Sequence, residues 1–230
     1  MVLAYAALGL LLAFGFLLLS PGIEARAGGV PPPTTWMGLH RSRPVVLKLS
    51  DLFALDAFGG GLVIQSMLAY WFHVRFGVNP AVLGSIFFAA NLLAAASALL
   101  AASLARRFGL LNTMVFTHLP SNVLLMLVPV MPNLSLAILV LLLRFSISQM
   151  DVPTRQSYTM AVVDPDERSA ASGITAVSRS IGASLSPWIA GVFLARPTLA
   201  SVPFFVAGGL KIAYDLWLYR VFKALPPKSS

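Results

Sequence analysis

Seven apolar runs, each long enough to cross a lipid bilayer, dominate this sequence. They lie near residues 1–20, 51–72, 81–104, 110–131, 134–150, 169–194 and 199–220. A membrane-spanning helix needs about 20 mostly apolar residues, because each residue advances the helix by about 1.5 Å and the hydrocarbon core is about 30 Å thick. Helix-breaking pairs such as Asn79-Pro80 separate the runs. We therefore expect an all-α polytopic membrane protein with about seven transmembrane helices.

Composition excludes an ordinary soluble fold. Hydrophobic residues make up 58% of the chain and charged residues 10%, whereas soluble domains carry about 25% charged residues. The net charge of +8 does not indicate a nucleic-acid partner, because the basic residues lie in short segments between apolar runs. The sequence has no cysteine, which excludes disulfides, thiolate nucleophiles and cysteine metal sites.

The distribution of lysine and arginine predicts an orientation, because cytoplasmic loops carry an excess of both. If the segment after the first run is cytoplasmic, the outer loops contain only Arg75 and Arg196. The inner segments then contain Arg26, Arg41, Arg43, Lys48, Arg106, Arg107, Arg155, Arg168, Arg220, Lys223 and Lys228. This bias predicts that the first helix enters from outside and that the C-terminus is cytoplasmic.

The first run has an alternative interpretation as a signal peptide, since Ala25-Arg26-Ala27 resembles a cleavage site. No basic residue precedes this run, and cleavage would place Gly28 outside and invert every later loop against the charge count. A transmembrane helix is the preferred interpretation.

The spacing of the runs predicts the domain organisation. Residues 21–49 are rich in proline, glycine and arginine and include Pro31-Pro32-Pro33, which is typical of a linker without a packed core. This linker separates the helix at 1–20 from a block of six helices at 50–222, and residues 223–230 form a tail.

Three segments carry a resemblance to a known family. Ala105–Gly109 is a short basic turn, Leu141–Gln149 contains an arginine followed by Ser-Gln, and Gly182–Gly191 reads GASLSPWIAG. These resemble, in order, the signature loop and two antiporter motifs of the major facilitator superfamily. The basic turn lacks the usual acidic residue of the loop, and Ser186 and Ala190 stand where the last motif has glycine. The chain thus looks like helices six to twelve of a twelve-helix bacterial member.

The resemblance implies a function and a set of partners. Residues 1–20 would be the last helix of the N-terminal half, 21–49 the cytoplasmic central linker, and 50–222 the C-terminal six-helix half. Such a protein is a secondary active transporter that moves a small solute by alternating access. It would be coupled to a proton or another ion, with efflux slightly favoured over uptake, in a bacterial inner (plasma) membrane. Besides the lipid bilayer it would need an N-terminal half or a second copy, and the chain is expected to be a fragment of a longer transporter.

Charged residues inside the runs are candidates for the transport site, since each costs about 2.5–3.5 kcal/mol near the bilayer centre without a partner. The candidates for substrate or coupling-ion contact are the charged residues Arg144, Asp56 and Arg179 and the polar Gln65, which could line the cavity or bond a neighbouring helix. Arg144 could hold a carboxylate or phosphate through its planar fork, or pair structurally with Asp56 or Asp151. Asp56 precedes three glycines; it could carry a proton, or lie near the helix start and reach water.

The remaining charges have more local predicted roles. The cytoplasmic gate or loop candidates are Asp151, Arg155, Asp166, Glu167, Arg168, Arg106 and Arg107. Lys211 and Asp215 are four residues apart and are expected to pair structurally on one face of the last helix. His118 stands without a second metal ligand nearby, which favours hydrogen-bonded packing. The sequence predicts no metal site, no cofactor and no nucleotide motif.

Two other classes of function stay open at this point. A membrane scaffold or assembly factor would use helix packing alone, and its charges would affect folding but not flux. An intramembrane enzyme would need convergent nucleophiles or metal ligands, for which the sequence offers no arrangement, so catalysis is not expected.

Overall fold

The computed structural model describes residues 36–224, together with 9–12, 14–15 and 18. The chain divides into two units, Met1–Thr34 and Thr35–Ser230. In the first unit, residues 9–12 and 14–15 are helical. The rest of the predicted helix at 1–20, the first part of the linker and the end of the tail lie outside the described residues.

The second unit is built from α-helices joined by short turns. Its described helices are α1 (Arg43–Gly61), α2 (Gln65–Phe76), α3 (Pro80–Phe108), α4 (Leu110–Leu127), α5 (Leu134–Ser148), α6 (Asp151–Val162), α7 (Arg168–Leu194) and α8 (Val202–Phe222). Short 3-10 turns lie at Val128–Val130, Pro165–Glu167 and Pro197–Leu199. Asn79 and Asn133 cap α3 and α5, since their side chains accept hydrogen bonds from the backbone of Val82 and Leu136 at 2.9 Å.

Within the described residues, four helical stretches are long and apolar enough to cross a membrane. They are Arg43–Phe76, Pro80–Phe108, Leu110–Val130 and Leu134–Val162. The prediction of an all-α polytopic membrane protein is confirmed. Helices α7 and α8 have 27 and 21 residues, which is sufficient length at about 1.5 Å per residue, but they are richer in polar side chains. The count of seven spans stays a prediction.

The first span of this unit begins earlier than the sequence suggests. Helix α1 starts at Arg43, inside the predicted linker 21–49, because Pro44 in the first turn favours helix initiation. Asp56 is consequently 13 residues into the helix, about 20 Å from its start, and not near the helix start as the alternative interpretation expected. The run Gly59-Gly60-Gly61 ends α1, and Ile64 is extended before α2 begins. Glycine's low helix propensity explains this bend.

The fifth apolar run also continues further than expected. The sequence placed Asp151 and Arg155 in a loop, but α6 begins at Asp151 directly after a break at Gln149 and Met150. Pro153 explains the break, because its ring and missing N–H are incompatible with a helix interior but are tolerated in a first turn. These two charged residues are therefore helical and buried.

Two hydrophobic clusters fill the interior. One contains Trp71, Phe72 and Phe204, with the Trp71 and Phe204 rings 5.0 Å apart. The other contains Phe53 and Tyr214, whose rings meet edge to face at 6.4 Å. Edge-to-face packing adds about 0.5–1.5 kcal/mol beyond area burial.

Helix α7 has three faces of different character, each about a third of its circumference. The buried face consists of Ala171, Thr175, Gly182, Ser186 and Ala190. A second face exposes large apolar side chains that are suited to lipid: Val177, Ile181, Leu185, Trp188 and Val192. A third face exposes small residues: Ser172, Gly173, Ala176, Ser180 and Ser184.

Helices α1 and α7 approach each other closely because glycines lie at their contact. A Cβ atom added at Gly182 would overlap the carbonyl oxygen of Ala54, and one added at Gly61 would overlap the Ser186 hydroxyl. The atoms facing Gly182 belong to the backbone and cannot rotate away. Small residues permit this kind of helix approach in membranes.

We expect Gly182→Ala to destabilise the bundle by about 1–3 kcal/mol, the usual cost of overpacking, because α1 must move away from α7. Gly173→Ala is the matched control, since a Cβ at Gly173 on the same helix meets nothing within 4 Å. Thermal unfolding in detergent, followed by tryptophan fluorescence, measures both. Equal melting temperatures for the two variants would contradict this account of the contact.

Candidate functional site

A buried charge cluster lies at the centre of the second unit, with Asp56 as its hub. The Lys211 ammonium contacts Asp56 Oδ1 at 2.6 Å. Arg155 and Arg179 each donate from Nη1 to Asp56 Oδ2, at 3.0 and 3.1 Å. His118 Nε2 lies 3.8 Å from Oδ1. Asp56 is only 3% exposed. Both oxygens of its carboxylate are therefore shared among several cationic or polar groups.

Two further carboxylates complete the charge cluster. Asp151 accepts a hydrogen bond from Arg155 at 2.9 Å. Asp215 lies 2.8 Å from His118 Nδ1 and accepts from the Asn122 amide at 3.1 Å. The three aspartates balance Arg155, Arg179 and Lys211, so the cluster is neutral when His118 is neutral. It joins five helices: α1, α4, α6, α7 and α8.

The order of residues along the helices explains why these charges meet. On α1, Asp56 lies between Phe53 of one hydrophobic cluster and Phe58, which packs against the other. On α8, Lys211 similarly separates Ala207 from Tyr214. The two hydrophobic clusters thus occupy different levels of the bundle, and the charges share the level between them.

Energetics require that such a cluster be complete. Each buried charge costs several kcal/mol in desolvation, and removal of one partner leaves the others uncompensated at a cost of about 3–5 kcal/mol. Nearly every charged group here is also hydrogen-bonded, which is the condition for burial. The charge cluster therefore couples the positions of five helices.

Two cavities open beside the charge cluster and meet at Arg179. One, of about 420 Å³, is lined by Asp56, Ala57, Gly60, Gly61, Ile64, Arg179, Ser180, Ala183 and Lys211. The other, of about 550 Å³, is lined by Phe53, Arg155, Gln156, Thr159, Met160, Ser172, Thr175, Ala176, Arg179 and Ser180. The small-residue face of α7 borders both. The Arg179 side chain, 34% exposed, connects the buried carboxylate to this open space.

Of the four predicted contact residues, the structure brings two together. Asp56 and Arg179 are bonded to each other. Arg144 lines neither cavity; its guanidinium lies 5.1 Å over the Phe145 ring. Its Nε is buried without a hydrogen-bond partner among the described residues. Gln65 accepts a hydrogen bond from the Asn91 amide at 3.4 Å on an exposed surface, away from the charge cluster.

The predicted gate residues divide into three groups. Asp151 and Arg155 belong to the buried charge cluster. Asp166 and Glu167 lie in the turn before α7, and Arg168 is the first residue of α7; the Arg168 Nε donates to the Met160 carbonyl at 3.0 Å. Arg106 and Arg107 lie at the end of α3; Arg106 donates to the Ser103 hydroxyl at 3.1 Å and Arg107 lies over the Phe108 ring.

Glu167 performs a capping role that the sequence did not reveal. Its buried carboxylate accepts hydrogen bonds from the backbone N–H groups of His40, Arg41 and Ser42, just before α1 begins. Asp166 pairs with the His40 ring at 2.8 Å. Burial by itself raises the pKa of Glu167, but the Ser42 hydroxyl and these backbone donors outweigh it and lower the pKa to about 2.

The expected pairing of Lys211 with Asp215 is corrected by the structure. Lys211 reaches Asp56 on α1, whereas Asp215 binds His118 and Asn122 on α4. Helical spacing allows an i,i+4 pair, but partners on neighbouring helices are better placed for both side chains.

His118 and Asn122 were not predicted members of the site. Their spacing of four residues places them on one helical face, and this spacing was the sequence feature that could have indicated their common role. His118 is hydrogen-bonded inside the bundle, as expected. Its neighbours are the carboxylates of Asp215, at 2.8 Å, and Asp56, at 3.8 Å. Within residues 36–224, no group of three or more His, Asp or Glu is arranged to hold a metal ion.

The fold and the site define a polytopic α-helical membrane protein with a buried ion cluster open to cavities on one side. The chain belongs to the major facilitator superfamily: the model of that family matches residues 1–187 and, in an overlapping match, 52–230. It is 28% identical over 185 residues to the uncharacterized membrane protein YJR124C of Saccharomyces cerevisiae. That match covers 80% of this chain and 41% of the yeast protein, so the chain spans less than half of that relative. No solved structure matches the chain.

We expect Asp56→Asn to lower the free energy of unfolding by about 3–5 kcal/mol, because the buried Arg155 and Lys211 and the partly exposed Arg179 lose their shared counter-ion. Asp166→Asn, which removes an exposed partner of His40, should cost at most about 1 kcal/mol. Thermal unfolding in detergent compares them. Lys211→Met in the Asp56→Asn background should recover part of the loss; a further additive loss would contradict the central role of this carboxylate.

The Glu167 cap predicts a pH dependence. Because the folded-state pKa is lowered from 4.5 to about 2, the stabilisation by the ionised carboxylate is fully present above pH 4.5. It is lost as pH falls from there through 2. The melting temperature of the native chain should therefore exceed that of Glu167→Gln at pH 7, with the difference shrinking as the solution is acidified. A difference that does not change down to pH 3 would contradict the capping interaction.

Proposed function

We propose that this chain forms half of a secondary active transporter whose solute binds against the Asp56 and Arg179 side of the charge cluster. One observation carries the proposal: Arg179 extends from the buried Asp56 carboxylate into both cavities. A side chain that bonds to an ion cluster and also lines a cavity can contact a bound solute. Solute binding can then change the ion pairs that hold the helices together. Membership of the superfamily supports transport by alternating access.

The charge cluster is the element that would respond to the solute. Five helices contribute to it, so a change in the partners of Asp56 alters the contacts between α1, α7 and α8 together. Discrete rearrangement of such a network is the kind of two-state change that alternating access requires. The cavity-bearing face would meet a second six-helix half, in the same polypeptide or supplied as another copy.

The coupling ion in this proposal is a proton, held at the His118 and Asp215 pair. Intramembrane chains of histidine and carboxylate groups form proton relays in pumps and transporters. His118 contacts Asp215 directly and approaches Asp56. Protonation there would change the charge beside the hub of the cluster.

The finer features of location and direction rest on the sequence. The excess of lysine and arginine on one side supports a cytoplasmic C-terminus. Efflux, with its slight preference over uptake, stays a prediction from the resemblance to antiporter motifs. Residence in a bacterial inner membrane stays a prediction from the resemblance to bacterial members of the superfamily.

A transport assay tests the proposal. The chain, joined to or mixed with a second half, is reconstituted in proteoliposomes, and solute-driven proton movement is followed with a trapped pH dye. Arg179→Gln should reduce flux about 10–100-fold, since charged hydrogen bonds contribute about 1.5–3 kcal/mol. Arg75→Gln is the control, because Arg75 is exposed near the end of α2 and lies over Phe76.

Absence of flux for a broad solute panel, with the protein folded by its melting profile, would favour the scaffold interpretation. Equal flux in Arg179→Gln and Arg75→Gln would leave a transporter but remove Arg179 from its site.

A further inference from the structure

We infer that the solute is an oxyanion, a small organic acid or phosphate ester, and that it binds Arg179 by competing with Asp56. This inference rests on the proposed transport function and names its substrate class. It begins from the donors of Arg179. A guanidinium has five N–H donors in a planar fork, and the structure records one of them in use, from Nη1 to Asp56. No other acceptor among the described residues bonds this side chain, which lines both cavities.

The charge of the cavity walls points to the same class of solute. Among the residues that line the two cavities, Arg155, Arg179 and Lys211 are cationic, and Asp56 is the one carboxylate. The other two aspartates of the cluster lie behind the walls. An approaching solute therefore meets a net positive surface in a setting of low dielectric, where charge interactions are strong.

Gly60 brings the smaller cavity close to a second cation, Lys211. A Cβ atom added at Gly60 would lie 3.5 Å from Lys211 Nζ, so the missing side chain leaves the ammonium open to the smaller cavity. Lys211 has three N–H donors and uses one for Asp56. Arg179 and Lys211 can thus bind an oxyanion from two sides, in place of the Asp56 carboxylate.

A cationic solute fits this arrangement poorly. Both oxygens of Asp56 are already occupied, Oδ1 by Lys211 and Oδ2 by Arg155 and Arg179. A cation would have to displace three resident cations to reach the carboxylate. An anion displaces one resident carboxylate and finds donors that are already in position, which is why Asp56 acts as an internal substitute for the solute.

Binding to the purified 230-residue chain tests this without requiring transport. The probes are benzoate, succinate and inorganic phosphate, with choline and glucose as controls at constant sodium chloride. Thermal stabilisation is followed by tryptophan fluorescence. We expect saturable stabilisation by at least one oxyanion and none by the controls. Arg179→Gln should weaken the apparent affinity at least about 10-fold, whereas Arg75→Gln should not change it.

The Asp56→Asn variant should respond in the opposite direction to Arg179→Gln, with stronger stabilisation by the oxyanion. Removal of the internal carboxylate frees Arg179 and Lys211, so the same oxyanion should stabilise Asp56→Asn more than the native chain. If Asp56 had a purely structural role, the oxyanion would stabilise Asp56→Asn no more than it stabilises the native chain. If Asp56→Asn does not fold, the comparison of native chain with Arg179→Gln decides.

Three results would overturn the inference. They are equal stabilisation by glucose or choline, an oxyanion affinity that is the same in Arg179→Gln, and flux of neutral or cationic solutes only. The last result would leave the proposed transport function standing. Oxyanion binding that depends on Arg179, combined with no flux in the proteoliposomes, would support the site and contradict the transport function instead.

Discussion

The carboxylate of Asp56 is the interaction on which the rest of this structure depends. It lies between two hydrophobic clusters and accepts contacts from α6, α7 and α8 at 2.6–3.1 Å. In a medium of low dielectric none of those cations is stable alone, so the helices that carry them are held in register by one acidic group. Packing aligns the helices, but this shared counter-ion determines which positions of five helices face one another.

In the proposed transporter, the same arrangement would make the interior responsive. A bound anion would take over cations that contact the Asp56 carboxylate, and Arg179 lies where such a replacement would begin. The charge cluster is neutral with His118 neutral, so a bound anion would give it one negative charge that a proton at His118 could balance. In this way substrate binding and proton binding would favour each other through charge alone, with no need for a long pathway between separate sites.

Around the charge cluster the bundle combines a close helix contact with a bend. At Gly182 and Ala54 the backbones of α1 and α7 approach so closely that a Cβ atom at Gly182 would overlap the Ala54 carbonyl. The run Gly59-Gly60-Gly61 interrupts the same helix α1 just beyond Asp56 and separates it from α2. The three faces of α7 then divide its surroundings into packed neighbour, lipid and cavity, which explains why one helix carries small, large and polar residues in alternation.

The sequence by itself determined the membrane environment, the α-helical class and the superfamily, because apolar runs of bilayer length and short motifs are local properties. It also identified Asp56 and Arg179 as costly charges that need partners. The partners themselves were decided only by the tertiary structure. Helical spacing suggested that Lys211 pairs with Asp215. The end of an apolar run near residue 150 suggested that Asp151 and Arg155 lie in a loop. In the structure, contacts between residues about 100 to 155 positions apart determine the partners instead. The periodicity of the sequence predicts which face of a helix a side chain occupies. The packing of whole helices determines which charged residue becomes its partner.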